Sequence, residues 1–352
     1  MNYQSLFSTN IDLTLGQAAR LFAEYPKSAA AMLKIVAHES KASKLRKHWH
    51  KRGVSVPPIL IVSTTEACNL RCEECYASDI RHESERDLPP ERIAAILDEA
   101  SRAGCSAVLL AGGEPLLSPD WLVAVARHPE LLGLVFTNGT LFEENWYGFF
   151  GDHRNLIPLF SVEGMRERTD ERRGDGVADK IKEAMAEMRR RRIPTGISVT
   201  TGAHNLDEVL SDAFFLHYLE SGCRIVVHVE YVPVGESDAF LPLSPDEKAR
   251  LSASCDARTK DGRAIVFAFP GNEDIYGGCL AAGRGFLHIT ASGSLEPCPF
   301  APYSDRSLAD MSFIEALRSP LLEAIRAEAK TLREGVGGCS LRGKDEWLSR
   351  IP

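Results

Sequence analysis

Ile59-Leu60-Ile61-Val62-Ser63, followed by Cys68-Asn69-Leu70-Arg71-Cys72-Glu73-Glu74-Cys75, is the stretch from which the fold can be read. The first five residues are a short apolar, β-branched run of the kind that forms a buried strand. The loop behind it packs three thiols into eight residues, with three and then two residues between them. That spacing is too tight for the thiols to pair with one another as disulfides, and it suits a loop wrapped round a compact inorganic cluster. Three thiolates can hold three irons of a [4Fe–4S] cube and leave the fourth iron open. The alternative is a zinc knuckle or a structural thiol cluster. Structural zinc normally takes four protein ligands, and no fourth Cys or His stands beside this loop.

Outward from this stretch, residues 57–235 alternate strand-like and helix-like segments. Strands are expected at Ile59–Ser63, Ala107–Ala111, Leu134–Thr137, Pro158–Val162, Gly196–Thr200 and Arg224–Val232. Helical periodicity falls between them, at Pro90–Ala103, Asp120–Arg127, Phe142–Phe150, Val177–Arg190 and Leu206–Glu220. Six such alternations indicate an α/β fold with a parallel sheet and crossover helices, either a partial barrel or an open doubly wound sheet. Each strand also ends in polar or glycine-rich sequence: the cysteine loop, Gly112-Gly113-Glu114-Pro115, Asn138-Gly139-Thr140, Ser161-Val162-Glu163-Gly164, Thr200-Thr201-Gly202 and Glu230-Tyr231-Val232-Pro233. The carboxyl ends of barrel strands are where such folds build their sites.

The cysteine spacing, with Gly112-Gly113-Glu114-Pro115 after the second strand, resembles the radical S-adenosylmethionine (SAM) superfamily. The resemblance implies a partial (βα)6 TIM-like barrel and a [4Fe–4S] cluster on Cys68, Cys72 and Cys75. The cluster's open iron would chelate SAM, whose reductive cleavage gives a 5′-deoxyadenosyl radical. It implies that Gly112, Gly113, Glu114 and Pro115 bind the amine of SAM, and that Asn138, Ser161 and Glu163 meet its ribose and methionine parts. Arg173, ahead of Arg172, is the expected partner of the SAM carboxylate. Thr200 and Val232 are expected to flank adenine. The family usually has an aromatic residue just before the third cysteine; here Glu74 stands there and the aromatic follows as Tyr76, the candidate adenine contact. Glu230 and Tyr231 are the candidate catalytic residues on the substrate side.

A second set, Cys279, Cys298 and Cys339, is scattered in sequence. Phe286–Thr290 and Ser294–Cys298, joined through Gly293, read as a β-hairpin that brings Cys279 and Cys298 together. Helical segments Phe313–Arg318 and Leu321–Arg333 follow, with Gly335 as a stop and Gly337-Gly338-Cys339 returning a third thiol. This resembles the SPASM/twitch extension of the same family and implies an auxiliary [4Fe–4S] cluster in an α+β C-terminal unit. The family's last cysteine is replaced by Arg342, so His288 or Asp345 is a candidate fourth ligand, or the iron stays open to substrate. Three buried free thiols, or a zinc site, is the alternative. Cys105, Cys223 and Cys255 have no such arrangement; Cys105 and Cys223 each sit just before a strand and read as structural thiols.

At 352 residues, 44% hydrophobic and 26% charged, the chain has the length of one large α/β domain with smaller additions. The division expected is 1–56 helical, 57–235 barrel and 236–352 iron–sulfur extension. A net charge of −8 implies no broad nucleic-acid-binding surface. The start, Met1-Asn2-Tyr3-Gln4-Ser5-Leu6-Phe7, lacks a basic segment and an apolar core, and no run is long enough to span a bilayer. A cytoplasmic location is therefore expected, where clustered cysteines bind metal rather than pair. Residues 11–52 are expected to form a helical pair packed on the barrel with a solvated basic face; peripheral membrane contact and RNA contact are the other readings. The expected partners are a reductant such as flavodoxin or ferredoxin and a substrate. That substrate is a small metabolite, cofactor or lipid precursor on one reading and a ribosomal peptide on the other. A non-catalytic iron–sulfur or zinc protein is the reading of a different class, and it predicts no 5′-deoxyadenosine from SAM.

Overall fold

The computed structural model describes residues 3–79, 86–233, 242–271, 273–332, 339–341 and 344–351. Two helices come first, α1 (Tyr3–Leu21) and α2 (Pro26–His50), before β1 (Ile59–Ser63) and the short α3 (Tyr76–Asp79) behind the cysteine loop. The alternation then runs α4 (Pro90–Ala103), β2 (Ala107–Ala111), α5 (Asp120–Ala126), β3 (Leu132–Thr137), α6 (Glu144–Asp152) and β4 (Leu156–Val162). It continues with α7 (Arg166–Arg173), α8 (Val177–Arg190), β5 (Thr195–Thr201), α9 (Leu206–Val209), α10 (Asp212–Glu220) and β6 (Cys223–Glu230). After it come α11 (Pro245–Asp261), β7 (Ile265–Phe269), β8 (Phe286–Ile289), β9 (Leu295–Glu296), α12 (Phe313–Ala316), α13 (Pro320–Glu328) and α14 (Asp345–Leu348). Gly335, Gly337, Gly338 and Arg342 lie outside the described residues.

Among the described residues one sheet carries all nine strands, in the order β7-β6-β5-β4-β3-β2-β1-β8-β9. Every pairing is parallel except β8 with β9. This is the partial barrel expected of β1–β6, enlarged on both sides. A seventh strand, β7, extends it beyond β6, led in by α11. The hairpin β8–β9 is not a separate sheet, because β8 pairs in parallel with β1 from Ile59↔Phe286 to Val62↔Ile289. The sheet curls far enough for Phe269 on β7 to meet Phe286 on β8 with ring centroids 5.0 Å apart.

Local sequence accounts for the crossover helices. Ile93, Ile96, Leu97 and Ala100 fall at three- and four-residue spacing on α4 and are buried together. Gly104 ends that helix at φ +115°, where other residues are strained. The helix expected at Leu206–Glu220 is divided in two, because the Ser211 hydroxyl accepts from the Phe214 amide and starts α10 afresh.

The barrel's outer core packs these helices on Leu60, Val62, Val108, Leu110, Val135 and Phe160. A second core lies inside the barrel. Leu15, Ala18, Phe22, Met32 and Ile35 of the N-terminal helices pack on Leu134, Ile157, Leu159, Ile225, Val227 and Ile265. The N-terminal pair therefore plugs the barrel rather than lying along its flank. Burial of each large side chain there contributes about 1.5–3 kcal/mol. The basic end of α2 is not wholly solvated either. Arg46 is buried against Glu39, and its guanidinium donates to the Gly104 carbonyl at 2.7 Å.

Candidate functional site: a cysteine loop held by five strand ends

Cys68, Cys72 and Cys75 all line one cavity of about 210 Å³ inside the carboxyl end of the barrel. The same walls include Tyr76, Gly112, Gly113, Glu114, Asn138, Ser161, Arg173, Thr200, Glu230, Tyr231 and Val232, so residues up to 164 positions apart in sequence meet at one place. Three partly exposed thiols around a shared space fit an iron–sulfur cube with one open corner. Among the described residues, no three His, Cys, Asp or Glu side chains converge as ligands of a single metal ion would.

The loop is fastened at almost every strand end. The Gly113 amide donates to the Thr65 carbonyl at 2.8 Å and the Glu114 amide to Ala67 at 2.9 Å. A Cβ on Gly113 would stand 2.0 Å from the Ala67 oxygen, so the second glycine is required by the cysteine loop itself. Asn138 Nδ2 donates to Asn69 Oδ1 at 2.8 Å, and Asn69 in turn donates to Thr140 Oγ1 at 2.8 Å. Arg172 is the main strut. Its guanidinium donates to the carbonyls of Glu73 and Glu74, each at 3.0 Å, and to Thr200 Oγ1 at 2.7 Å. Its own carbonyl accepts from the Glu73 amide at 3.0 Å. Tyr231 closes the far side, its hydroxyl donating to Glu74 Oε2 at 3.0 Å.

Glu114 is buried and satisfied within the protein. Its carboxylate accepts from Thr137 Oγ1 at 2.7 Å, the Asn138 amide at 2.8 Å and the Leu116 amide at 3.1 Å. Burial pushes its pKa up, and these three donors work against that rise. It thus ties the end of β2 to the end of β3. Glu163, 2% exposed, takes two guanidiniums: Arg172 at 2.8 Å and Arg173 at 2.5 Å. Two cations against one carboxylate leave a net positive charge beside Cys72. Burial raises the Cys72 thiol, and Arg173 is the strongest influence lowering it. Ser161 pairs with Ser198 at 3.1 Å. Glu230 accepts from the Gly271 amide at 3.1 Å and faces Lys248 at 3.5 Å, which fixes β6 to the chain after β7. Val232 is buried at the cavity wall.

Sequence reading missed Asn69, Arg172 as a strut, and Ser198. Ser198 had a signal: it lies two residues before Thr200, hence on the same strand face.

The second cysteine set is buried in the C-terminal region. The Ala282 amide donates to Pro297 at 3.1 Å, bringing the Cys279 turn beside the Cys298 strand. Arg284 braces that turn through the carbonyls of Gly278 at 2.8 Å and Tyr276 at 2.9 Å. Burial pushes the Cys279 and Cys298 thiols well up; Cys339 and Glu273 add to the rise at both, and Cys279 and Cys298 each feel Cys339 directly. His288 is not a spare ligand beside these thiols, since both ring nitrogens are engaged by Ser63 and Glu296. Tyr76 stands between the two cysteine sets, its ring 5.2 Å from Phe300 and its hydroxyl pKa raised by burial, then by Cys75 and Cys298. Cys105 and Cys223 are structural: each thiol donates to a backbone carbonyl at 3.1 Å, of Pro57 and of Ile225.

The profile of the Radical SAM superfamily matches residues 62–216. The chain is 26% identical over 291 residues to the AdoMet-dependent heme synthase of Methanosarcina barkeri, covering 74% of this chain and 82% of that protein. It is 28% identical over 171 residues to the Fe-coproporphyrin III synthase of the same organism, and there it spans only 43% of the relative's length. Among solved structures it is similar to Streptococcus suis SuiB bound to precursor peptide SuiA, with a TM-score of 0.64 at 16% identity over 86% of this chain and 74% of that one. The last likeness is one of fold. Among the described residues no helix is long and apolar enough to cross a membrane.

Proposed function

Because this chain belongs to the radical SAM superfamily, we propose that it oxidises or rearranges a small metabolite, cofactor or lipid precursor, with a second, auxiliary [4Fe–4S] centre on Cys279, Cys298 and Cys339. The observation that carries this reading is the shared cavity, where three thiols, the Gly112–Glu114 strip and Arg173, itself paired with the buried Glu163, face one space. Cys68, Cys72 and Cys75 would hold a [4Fe–4S] cluster, which when bound would supply the electron for reductive cleavage of SAM. The protein's own part is placement. Gly112 and Gly113 allow close backbone approach to the SAM amine, and Arg173 meets the SAM carboxylate. Asn138, Ser161 and Glu163 face ribose and methionine, and Tyr76, Thr200 and Val232 border adenine.

Deeper in the barrel the lining becomes apolar and aromatic: Ile61, Leu109, Phe136, Val229, Phe267 and Phe269. That wall supports a compact, largely apolar substrate over an extended peptide backbone, which would need polar partners along its length. A ribosomal peptide is the second reading, favoured by the fold-level likeness to a peptide-bound enzyme. Glu230 and Tyr231 act here as supports of the site as much as candidate acid–base groups. A cytoplasmic reductant such as flavodoxin or ferredoxin completes the cycle, and the exposed Leu33, at 66%, leaves a surface for peripheral membrane contact.

The test is a variant with Cys68, Cys72 and Cys75 all changed to Ala, reconstituted anaerobically with iron and sulfide. About four irons per chain and a [4Fe–4S] resonance after reduction are expected. A variant that holds no iron would remove the auxiliary centre and leave a single-cluster enzyme.

A further inference from the structure

The outer face of α2 carries charge of one sign. Residues 26–52 hold eight Lys and Arg against one carboxylate, in a chain whose net charge is −8. That carboxylate, Glu39, is fully buried and paired with Arg46. Lys27, Lys34, Lys41, Lys44, Lys51 and Arg52 are all exposed. The buried side of the helix is Ser28, Met32, Ile35, Glu39, Ala42 and Arg46, so the lysines occupy the side turned away from the barrel. Lys27, Lys34 and Lys41 are seven residues apart, a step that drifts only about 20° round a helix, and they make a row. Lys44 and Lys51 make a second row beside it. The helix has 25 residues, which gives it a length of about 37 Å.

Other surface helices of this chain are built differently. α8 sets Asp179, Glu183 and Glu187 among its cations, and Arg190 and Arg191 each meet Glu187 at 2.5 Å. Along α2, among the described residues, no carboxylate lies within ion-pair reach of Lys27, Lys34, Lys41, Lys44 or Lys51. Asp12 of α1 is near enough to feel Arg46 and Lys47, at the buried edge of the face. Lys47 and Lys51 are four residues apart, and like charges at that spacing weaken a helix. A face that only meets water gains nothing from this repulsion, whereas an anionic partner removes it. Leu33 and Leu45 stand on the same side, 66% and 37% exposed. Leucines among lysines suit the interface of a bilayer. A nucleic acid would be served better by an exposed aromatic on which to stack, and Trp49, the aromatic of α2, packs on the core.

We propose that the outer face of α2 docks on an anionic lipid bilayer, with the lysine rows against the headgroups and Leu33 and Leu45 entering the interface. This rests on the peripheral contact proposed above and gives it a face and a lipid charge. Met32 and Ile35, on the reverse of the helix, pack into the base of the barrel, so the bilayer meets the closed end. The cavity at the carboxyl end then opens toward water and is reached from solution.

The test is co-sedimentation of the cluster-loaded full chain with vesicles of phosphatidylcholine alone and of phosphatidylcholine mixed with phosphatidylglycerol. Binding to the mixed vesicles only is expected, and it should weaken as salt is added. Combined Lys34→Glu, Lys41→Glu and Lys44→Glu should lower it at least about 100-fold, since each basic residue at an anionic surface is worth about a fivefold change. All three positions are exposed, and an unchanged melting temperature shows that the variant is folded. Leu33→Ser should lower binding about tenfold. No binding to either vesicle overturns both the face and the peripheral contact. Binding to both vesicles that ignores the lysine changes and is lost in Leu33→Ser overturns the anionic face and leaves an uncharged contact standing. Capture of a single-stranded RNA oligonucleotide, with the mixed vesicles left unbound, overturns lipid as the partner.

Discussion

Gly113→Ala will leave the protein folded but poor in iron at its first cluster, and SAM cleavage will fall about 100-fold. The added Cβ would stand 2.0 Å from the Ala67 carbonyl oxygen and 2.6 Å from its carbon. Both are backbone atoms at the root of the cysteine loop, so no rotamer change relieves the clash. The loop must shift, and with it the three thiols whose spacing a cubane demands. Reconstituted iron content and 5′-deoxyadenosine formation under dithionite read the effect. Gly148→Ala is the control, since a Cβ there meets nothing within 4 Å. Equal iron loading in the two variants would show that the loop does not depend on this contact.

Glu163→Gln is expected to cost about 3–5 kcal/mol in stability, because it removes one partner of a buried ion pair and leaves two guanidiniums uncompensated. Arg172 and Arg173 both point at this carboxylate from the end of α7. Arg172 also carries the Glu73 and Glu74 carbonyls, so its displacement loosens the cysteine loop from a second direction. Urea unfolding of the metal-free protein measures the loss. A change under about 1 kcal/mol, the size expected of an exposed pair, would mean that water already screens these charges.

The barrel was legible because its strands are apolar and β-branched against polar loops. All six runs between Ile59 and Val232 are strands, their ends displaced by two residues or fewer. The run Ile265–Phe269 carries the same signal, and it was passed over because the alternation was taken to end at 235. The cysteine loop stood out by its spacing, and Gly112–Glu114 by its resemblance to the family's motif after the second strand. What spacing could not reveal was how much of the polar rim secures the loop. Asn138 with Asn69, and Arg172 with Glu73, are contacts across 69 and 99 positions, set by which strand ends meet. The Ser63–His288 contact spans 225 positions and depends on β8 lying beside β1 in a particular register. A hairpin pattern predicts β8 and β9 but not which edge they join.

The plug formed by Phe22, Met32 and Ile35 has a consequence for traffic. With the base stoppered, the carboxyl end of the barrel, where the cavity lies, is the doorway among the described residues. SAM and substrate must share that doorway, and whichever sits deeper has to arrive first and depart last. Binding is then sequential: with the substrate deeper, a non-cleavable SAM analogue is expected to inhibit competitively toward SAM and uncompetitively toward the substrate, and noncompetitive inhibition toward the substrate would show that SAM does not have to wait for it.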